Sequence, residues 1–571
     1  MFPDENGNYP DNPFGSSNPL QTRDLITNNE SINRFIVGSS LDLSLYQNEK
    51  SNLKLILRGG VDYFNLVTTA IFPKELQFQK ISNGGLNGLT AQGNTENKDV
   101  NFSAFLVHNY FTDNNISFTT QAGVTKQTFS QNTVRNTTTN LIGSETNVDQ
   151  GANFSVQQFR LEQEDSGFFV QEEVNYQDKL IGTLGVRGDK SSNNGDANKL
   201  FYYPKASGAI NFHNFDFWKI DAISQLKLRS AYGEAGNFAP NGALFTAYSN
   251  SLIDGIVGIT VPTTLGDPNI KPERQKEFEV GLDAGLLNNR ISLELTYYVK
   301  TVDDLILAAN IEPSSGFNTR FDNAGNLENK GVELAINAAV FEKGDFTWDT
   351  GIIFFRNRSE ITKLNVEPFN TGGFGTGLGT FRIEEGKSVT QIVGNDGSGG
   401  IIKLGDAEPD FQMTFTNSFK YKNWDLSFLW HWKKGGDNVN LSNLLFDFGQ
   451  TTGDFDDVTL DPERLVSNGN FRINSFFAGD ADAFVEDAGY LRLREIGLFY
   501  TVNKSFLDRA FHGYVSNIKL GLSGNNLINS FDYNSYDPEV SNFGSNGLST
   551  GVEVTPFPSS KRYLFHLSVD F

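Results

Sequence analysis

From Glu277 to Lys300 apolar and polar positions alternate along the chain. Phe278, Val280, Leu282, Ala284 and Leu286 stand between Glu277, Glu279, Gly281, Asp283 and Gly285. After Asn288-Asn289, Ile291, Leu293, Leu295, Tyr297 and Val299 stand between Ser292, Glu294, Thr296, Tyr298 and Lys300. A period of two is a strand with one apolar and one polar face, and the asparagine pair joins the strands as a hairpin. The pattern predicts one hairpin over 276–300, with Glu277, Glu279, Asp283 and Glu294 on a wet inner face. Phe278, Val280, Leu293 and Leu295 are expected to face lipid. Carboxylates fit badly in a dry sandwich core and well beside a water-filled lumen. A soluble sheet with one solvated face would alternate in the same way, so repetition has to decide.

The pattern does repeat. Val332, Leu334, Ile336, Ala338 and Val340 turn through Glu342-Lys343-Gly344-Asp345 into Phe346, Trp348, Ile352 and Phe354. Phe411, Met413, Phe415 and Phe419 turn at Lys422-Asn423 into Trp424, Leu426, Phe428, Trp430 and Trp432. The chain ends inside such a strand, with Tyr563, Phe565, Leu567, Val569 and Phe571 on one face. Further strands are expected near 33–46, 52–62, 101–111, 115–125, 167–176, 180–188, 203–210, 225–232, 490–500 and 518–525, roughly 17 in all. In Tyr490 to Tyr500 the apolar phase slips, and a β-bulge near Glu495 would restore one apolar row.

The links alternate in length. Those at 112–114, 177–179, 287–290, 342–345 and 421–423 are short; those at 63–100, 126–166, 233–275, 301–330, 356–410, 433–489 and 526–562 are long. Short turns on one side and long loops on the other are the asymmetry of an outer-membrane antiparallel β-barrel, with the long loops outside the cell. Compact soluble domains seldom carry so many long connections.

Composition agrees. Aromatics make up 13% of 571 residues, with 50 Phe, yet mean hydropathy is −0.35, so the apolar residues are interleaved with polar ones. No apolar run is long enough for a membrane-crossing helix. The absence of cysteine excludes a disulfide scaffold and thiolate metal sites. A net charge of −22 argues against nucleic acid as a partner. Met1-Phe2-Pro3-Asp4 has neither the basic nor the apolar region of a signal peptide, and Pro3 to Pro19 reads as the middle of a loop.

Candidate chemistry is thin. His108, His213, His431, His512 and His566 are scattered without metal-ligand spacing, and His431 and His566 alternate with apolar residues, which points them to the lumen. The run Gly372 to Gly379 lacks the Lys-Ser/Thr of a phosphate loop and reads as flexible. Asp454, Asp456 and Asp457, like Asp480 and Asp482, suit either a solvated loop or a calcium site. Trp424, Trp430 and Trp432 share one face and read as lipid-facing anchors. No catalytic arrangement stands out, so no enzyme and no cofactor is expected.

Six elements, in order, resemble the SusC/RagA-type TonB-dependent transporters of Bacteroidota outer membranes. Leu228 to Asn237 resembles "LRASYGxxGN", Asp267 to Glu273 "NPDLKPE", and Asn323 to Glu333 the "N-x-G…N-x-G-V-E" loop. Val485 to Ile496 resembles the acidic approach to "FLRLKN"; Gly524-Asn525-Asn526-Leu527 is similar to "GQNL", and Asp537-Pro538-Glu539 matches "DPE". The resemblance implies a barrel of about 22 strands with an N-terminal plug and a TonB-contacting segment. It also implies a SusD-like lipoprotein over the loops, outer-membrane lipid around the wall, and oligosaccharides or peptides as cargo. On this reading residues 1–32 are a severed extracellular loop and 33–571 the C-terminal part of the barrel, the plug and roughly five strands being absent. Such a chain alone would form an open or badly closed barrel. Asp537-Pro538-Glu539 is expected in a loop, because Pro538 cannot donate to a ladder, with a role in ordering that loop against the rim. The second reading is a structural or adhesion barrel whose loops bind partners without transport.

Overall fold

A computed structural model of the protein describes residues 2–13, 15–81, 87–253, 256–396, 399–543 and 551–571. Its long strands are β1 (Thr27–Gln47), β2 (Ser51–Phe72), β3 (Leu89–Phe111), β4 (Ile116–Leu141), β5 (Gly151–Tyr176), β6 (Leu180–Ser191), β7 (Phe201–Asn211) and β8 (Ile223–Asn237). They continue with β9 (Glu273–Leu286), β10 (Ile291–Asn310), β11 (Thr319–Lys343), β12 (Phe346–Leu364), β13 (Phe411–Tyr421), β14 (Trp424–Lys434), β15 (Tyr490–Thr501), β16 (Asn517–Ser530) and β17 (Arg562–Asp570). With the short Thr264–Leu265 they make an 18-stranded sheet, so each strand expected from the pattern is present.

The chain divides into two compact units. In the first, β1 to β4 pair antiparallel in sequence order. In the second, each strand from β7 to β17 pairs antiparallel with the next. The β9–β10 hairpin turns through Leu287, Asn288 and Asn289 at φ of 53°, 57° and 61°, a left-handed region that asparagine tolerates better than most residues. On its expected apolar face Leu293 is half-buried, and on the expected polar face Glu294 is exposed. Phe278, Val280 and Leu295 are exposed, whereas Asp283 is paired with Arg229 at 3.1 Å and Lys227 at 3.5 Å.

Several expected loops are largely strand. β2 runs on to Phe72, β3 begins at Leu89, β4 reaches Leu141 and β5 starts at Gly151. Links expected at 63–100, 126–166 and 301–330 therefore shrink to 73–88, 142–150 and 311–318. β3, β4 and β5 have 23, 26 and 26 residues, more than twice the roughly 10 that cross a bilayer. Beyond lipid both faces are wet, the alternation disappears, and pairing continues without it. The N-terminal stretch also departs from a plain loop. Pro19–Leu25 is a helix capped by Asn18, whose side chain accepts from Leu20 N at 3.0 Å, and β1 starts at Thr27 rather than near 33.

The longest links of the second unit fold into a module of their own. Phe369–Thr371, Thr380–Ile383, Gln391–Asn395 and Ile401–Asp406 form a four-stranded sheet, and Val485–Asp487, Asp437–Asn440 and Val552–Glu553 a three-stranded one. Two helices join them, α1 (Ser442–Asp447) and α2 (Asn468–Ala478). Phe381, Ile392, Val439, Leu441, Phe484 and Val552 pack as their shared core. The glycine run 372–379 is a closed turn in this module rather than a flexible loop. Thr380 Oγ1 donates to Gly372 O at 2.7 Å, and a Cβ on Gly373 (φ +63°) would lie 2.5 Å from Gly379 O.

Candidate functional site

The site starts from an irregularity in β15. On β14, Leu429 is opposite Glu495 and Trp430 is opposite Leu493, so Arg494 has no counterpart. On the other side, Glu495 is opposite Asn525 and Leu493 opposite Ile528, which leaves Asn526 and Leu527 facing Arg494. This is the bulge that the slipped apolar phase called for, one residue from its expected place. Asn526 takes φ of 55° there, and Asn525 Nδ2 reaches Arg494 O at 3.4 Å. The Asn525-Asn526 motif thus shapes backbone, and the bulge re-aims Arg494.

Arg494 points at three groups. Its Nη2 lies 2.7 Å from His431 Nδ1, its Nη1 donates to Glu539 at 2.6 Å, and its Nη2 also donates to Tyr490 Oη at 2.9 Å. A guanidinium carries only donors, so His431 Nδ1 must be the acceptor and the proton sits on Nε2. That nitrogen donates to Gln412 Oε1 at 3.1 Å.

Asp537-Pro538-Glu539 completes the arrangement and lies outside any strand. Asp537 is buried and accepts from Arg492 Nη2 at 2.6 Å; Glu539 is 2.7 Å from Arg492 Nη1 and is held by Arg494 and Tyr490. Pro538 O accepts from Asn438 Nδ2 at 2.8 Å. Burial alone would raise the Glu539 carboxyl, but the hydrogen bonds of Arg494 and Tyr490 outweigh it and hold the group below its usual range. Two arginines two residues apart on β15 thereby fasten the 531–561 loop.

A second ionic hub lies inside the loop module. Arg472, buried on α2, meets Asp447 of α1 at 2.5 Å and Asp454 at 2.8 Å. Burial opposes its charge, yet the two carboxylates raise its affinity for the proton overall. Asp454 also accepts from Asn468 at 3.1 Å and Asn534 at 2.8 Å. Its oxygens are committed to protein donors, in place of the solvated loop or calcium site expected from the acidic run. Asp456 and Asp457 are exposed, and Asp480 Oδ1 accepts from Asp482 N at 3.2 Å.

Of the other expected residues, His431 is in the site and the rest are elsewhere. His566 Nε2 meets Ser523 Oγ at 2.7 Å, His108 meets Ser51 at 2.8 Å, His213 meets Leu226 O at 3.2 Å, and His512 follows the helix Lys504–Phe511. Trp424 and Trp432 are exposed on the apolar face. The sequence alone showed Arg492 and Arg494 only as part of a motif and gave no sign of Arg472. The spacing of the two β15 arginines on one face was the available signal.

The family described as TonB dependent receptor-like, beta-barrel matches residues 2–527. The chain is 27% identical to the TonB-dependent receptor P26 of Formosa agariphila, over 99% of this chain and 62% of the relative. It is 25% identical to the TonB-dependent receptor SusC of Bacteroides thetaiotaomicron, over 69% of this chain and 42% of the relative. The solved RagAB peptide transporter superposes with a TM-score of 0.78 at 18% identity, over 97% of this chain and 63% of that one. The chain thus spans at most 62% of the length of these curated relatives.

Proposed function

Because the chain belongs to the TonB-dependent receptor-like β-barrel family of the outer membrane, we propose that it is the barrel part of a SusC/RagA-type importer of large nutrients. Oligosaccharides and peptides are the two cargo classes that suit it. A SusD-like lipoprotein over the loops and TonB acting through a plug complete the machine in this reading. Members of this family move cargo and catalyse no reaction.

One observation carries the proposal beyond the family. The 365–410, 435–489 and 531–561 links share a hydrophobic core, and Asp537 and Glu539 fasten the last of them to Arg492 and Arg494 at the loop-side end of β15. Arms built for adhesion would gain reach by staying separate. A fused module clamped to a wall strand suits a cover for a cargo path.

Disrupting the full reading frame should abolish growth on one class of oligosaccharide or peptide while growth on the monomers persists. The intact protein should copurify with a surface lipoprotein. Unchanged growth on every polymeric nutrient, with no lipoprotein retained, would reject the proposal.

A further inference from the structure

The links that build the loop module carry most of the chain's charge. Residues 365–410, 435–489 and 531–561 hold 22 Asp and Glu against six Lys and Arg, a net −16 of the chain's −22. Within 435–489 the basic residues are Arg464 and Arg472, and Arg472 is spent on Asp447 and Asp454. Asp456, Asp457 and Glu463 precede α2, and Asp482 follows it. All four are exposed, and their carboxylates meet no donor among the described residues.

The same helices expose apolar groups. Phe477 is 76% exposed and Leu465 78%, and Leu445, Phe448, Val458 and Leu460 are exposed as well. Phe448 and Phe477 are not loose. Their rings lie 5.7 and 5.2 Å from the Phe476 ring, which packs on the module core. Rings held in this way lose little freedom when something covers them. Touching aromatic rings left in water, unlike a single exposed leucine, mark a surface made to be covered.

The charge decides what covers it. An anionic membrane surface repels these carboxylates. A peptide is gripped in a groove or along a sheet edge, whereas these groups stand on two helices and the stretch before α2. An apolar centre inside a charged rim is the anatomy of an interface between folded proteins. With Arg472 buried in its own pairs, the counterpart has to supply the cations.

Resting on the import reading, we infer that the α1–α2 face is the seat of the surface lipoprotein, which meets it with an apolar centre ringed by Lys and Arg. Phe448 and Phe477 fill that centre, and Asp456, Asp457, Glu463 and Asp482 pair with the cations around it.

The test uses intact cells carrying the full reading frame, with photoreactive benzoylphenylalanine in place of Phe477. A second strain carries it in place of Ile402, which is exposed on the four-stranded sheet. The label at 477 should form an adduct with one lipid-anchored protein, crosslinked beside Lys or Arg, and the label at 402 should not. In the purified full-length protein Phe477→Ala should weaken retention of that lipoprotein about 30-fold, as loss of an aromatic anchor does. Asp456→Lys with Asp457→Lys should weaken it about tenfold, with both variants checked for heat-resistant barrel migration. No adduct at 477, equal adducts at 477 and 402, or retention indifferent to either variant would overturn the inference. Peptide fragments crosslinked at 477 in place of a lipoprotein would overturn it too, while leaving the import reading standing. Only the absence of energy-dependent uptake of every cargo would remove the import reading itself.

Discussion

Replacing Asp537 with alanine removes one carboxylate from a buried ionic junction and is expected to free the loop without unfolding the strands. Asp537 and Arg492 are each 1% exposed and meet at 2.6 Å. Asp537 Oδ2 and Arg492 Nε have no partner, so the pair uses one prong of a possible two. Breaking a buried pair from one side costs about 3–5 kcal/mol, because the other charge stays behind. Arg492 keeps Glu539 at 2.7 Å, which places the cost near the lower end, about 3 kcal/mol. At about 1.4 kcal/mol per decade this is roughly a 100-fold rise in loop opening. Amide hydrogen exchange across 531–543 in the full-length protein should accelerate by that factor while exchange in β14 to β16 stays unchanged. Removing both charges, Asp537→Ala with Arg492→Met, should recover most of the loss, since an apolar pair leaves no orphaned ion. If Asp537→Ala left the loop as protected as before, or the double variant lost as much as the two single ones added, the junction would not be what holds the loop.

Phe278→Arg, on the exposed apolar face of β9, should cost about 2–4 kcal/mol if that face lies mid-bilayer; loss of heat-resistant migration on electrophoresis is the readout. Phe381→Ala empties a fully buried position in the loop module and should cost about 3–5 kcal/mol, seen as protease cleavage within 365–410 while the strands stay intact. The Glu539 carboxyl titrates below its ordinary 4.5 in the folded protein. Its stabilisation is therefore complete above 4.5 and is lost as pH falls through the lower folded value. Exchange in 531–543, corrected for its intrinsic rate, should stay flat above pH 4.5 and rise below it; a rise beginning nearer neutrality would point to a different group.

The strands were legible because lipid on one side and water on the other impose a two-residue period. The β9–β10 turn and the slip in β15 could both be read to within a residue, although the hairpin runs past the expected 276–300, from Glu273 to Asn310. The signal stops where the lipid stops. Gln92 to Lys98 in β3 is polar on both faces, and nothing in it distinguishes a paired strand from a loop. The loop module was hidden for another reason. α2 buries Asn468 and Arg472 beside Ile473 and Phe476, which pack on a core shared with segments far apart in sequence, so no local apolar stripe announces it. Asp454 looked like one of a solvated trio because its partner is 18 residues away on a different element. Asp537, Pro538 and Glu539 were noticed as a motif and placed in a loop, but their arginine partners on β15 became visible only in three dimensions.

Energy-dependent uptake tests the central claim most directly. In cells carrying the full reading frame, a labelled cargo of the class whose growth depends on it should accumulate steadily and stop when a protonophore collapses the inner-membrane gradient. Asp537→Ala should lower the rate while leaving the barrel assembled. Accumulation that continues after the gradient is gone, or none with the intact protein in place, would contradict a TonB-driven importer.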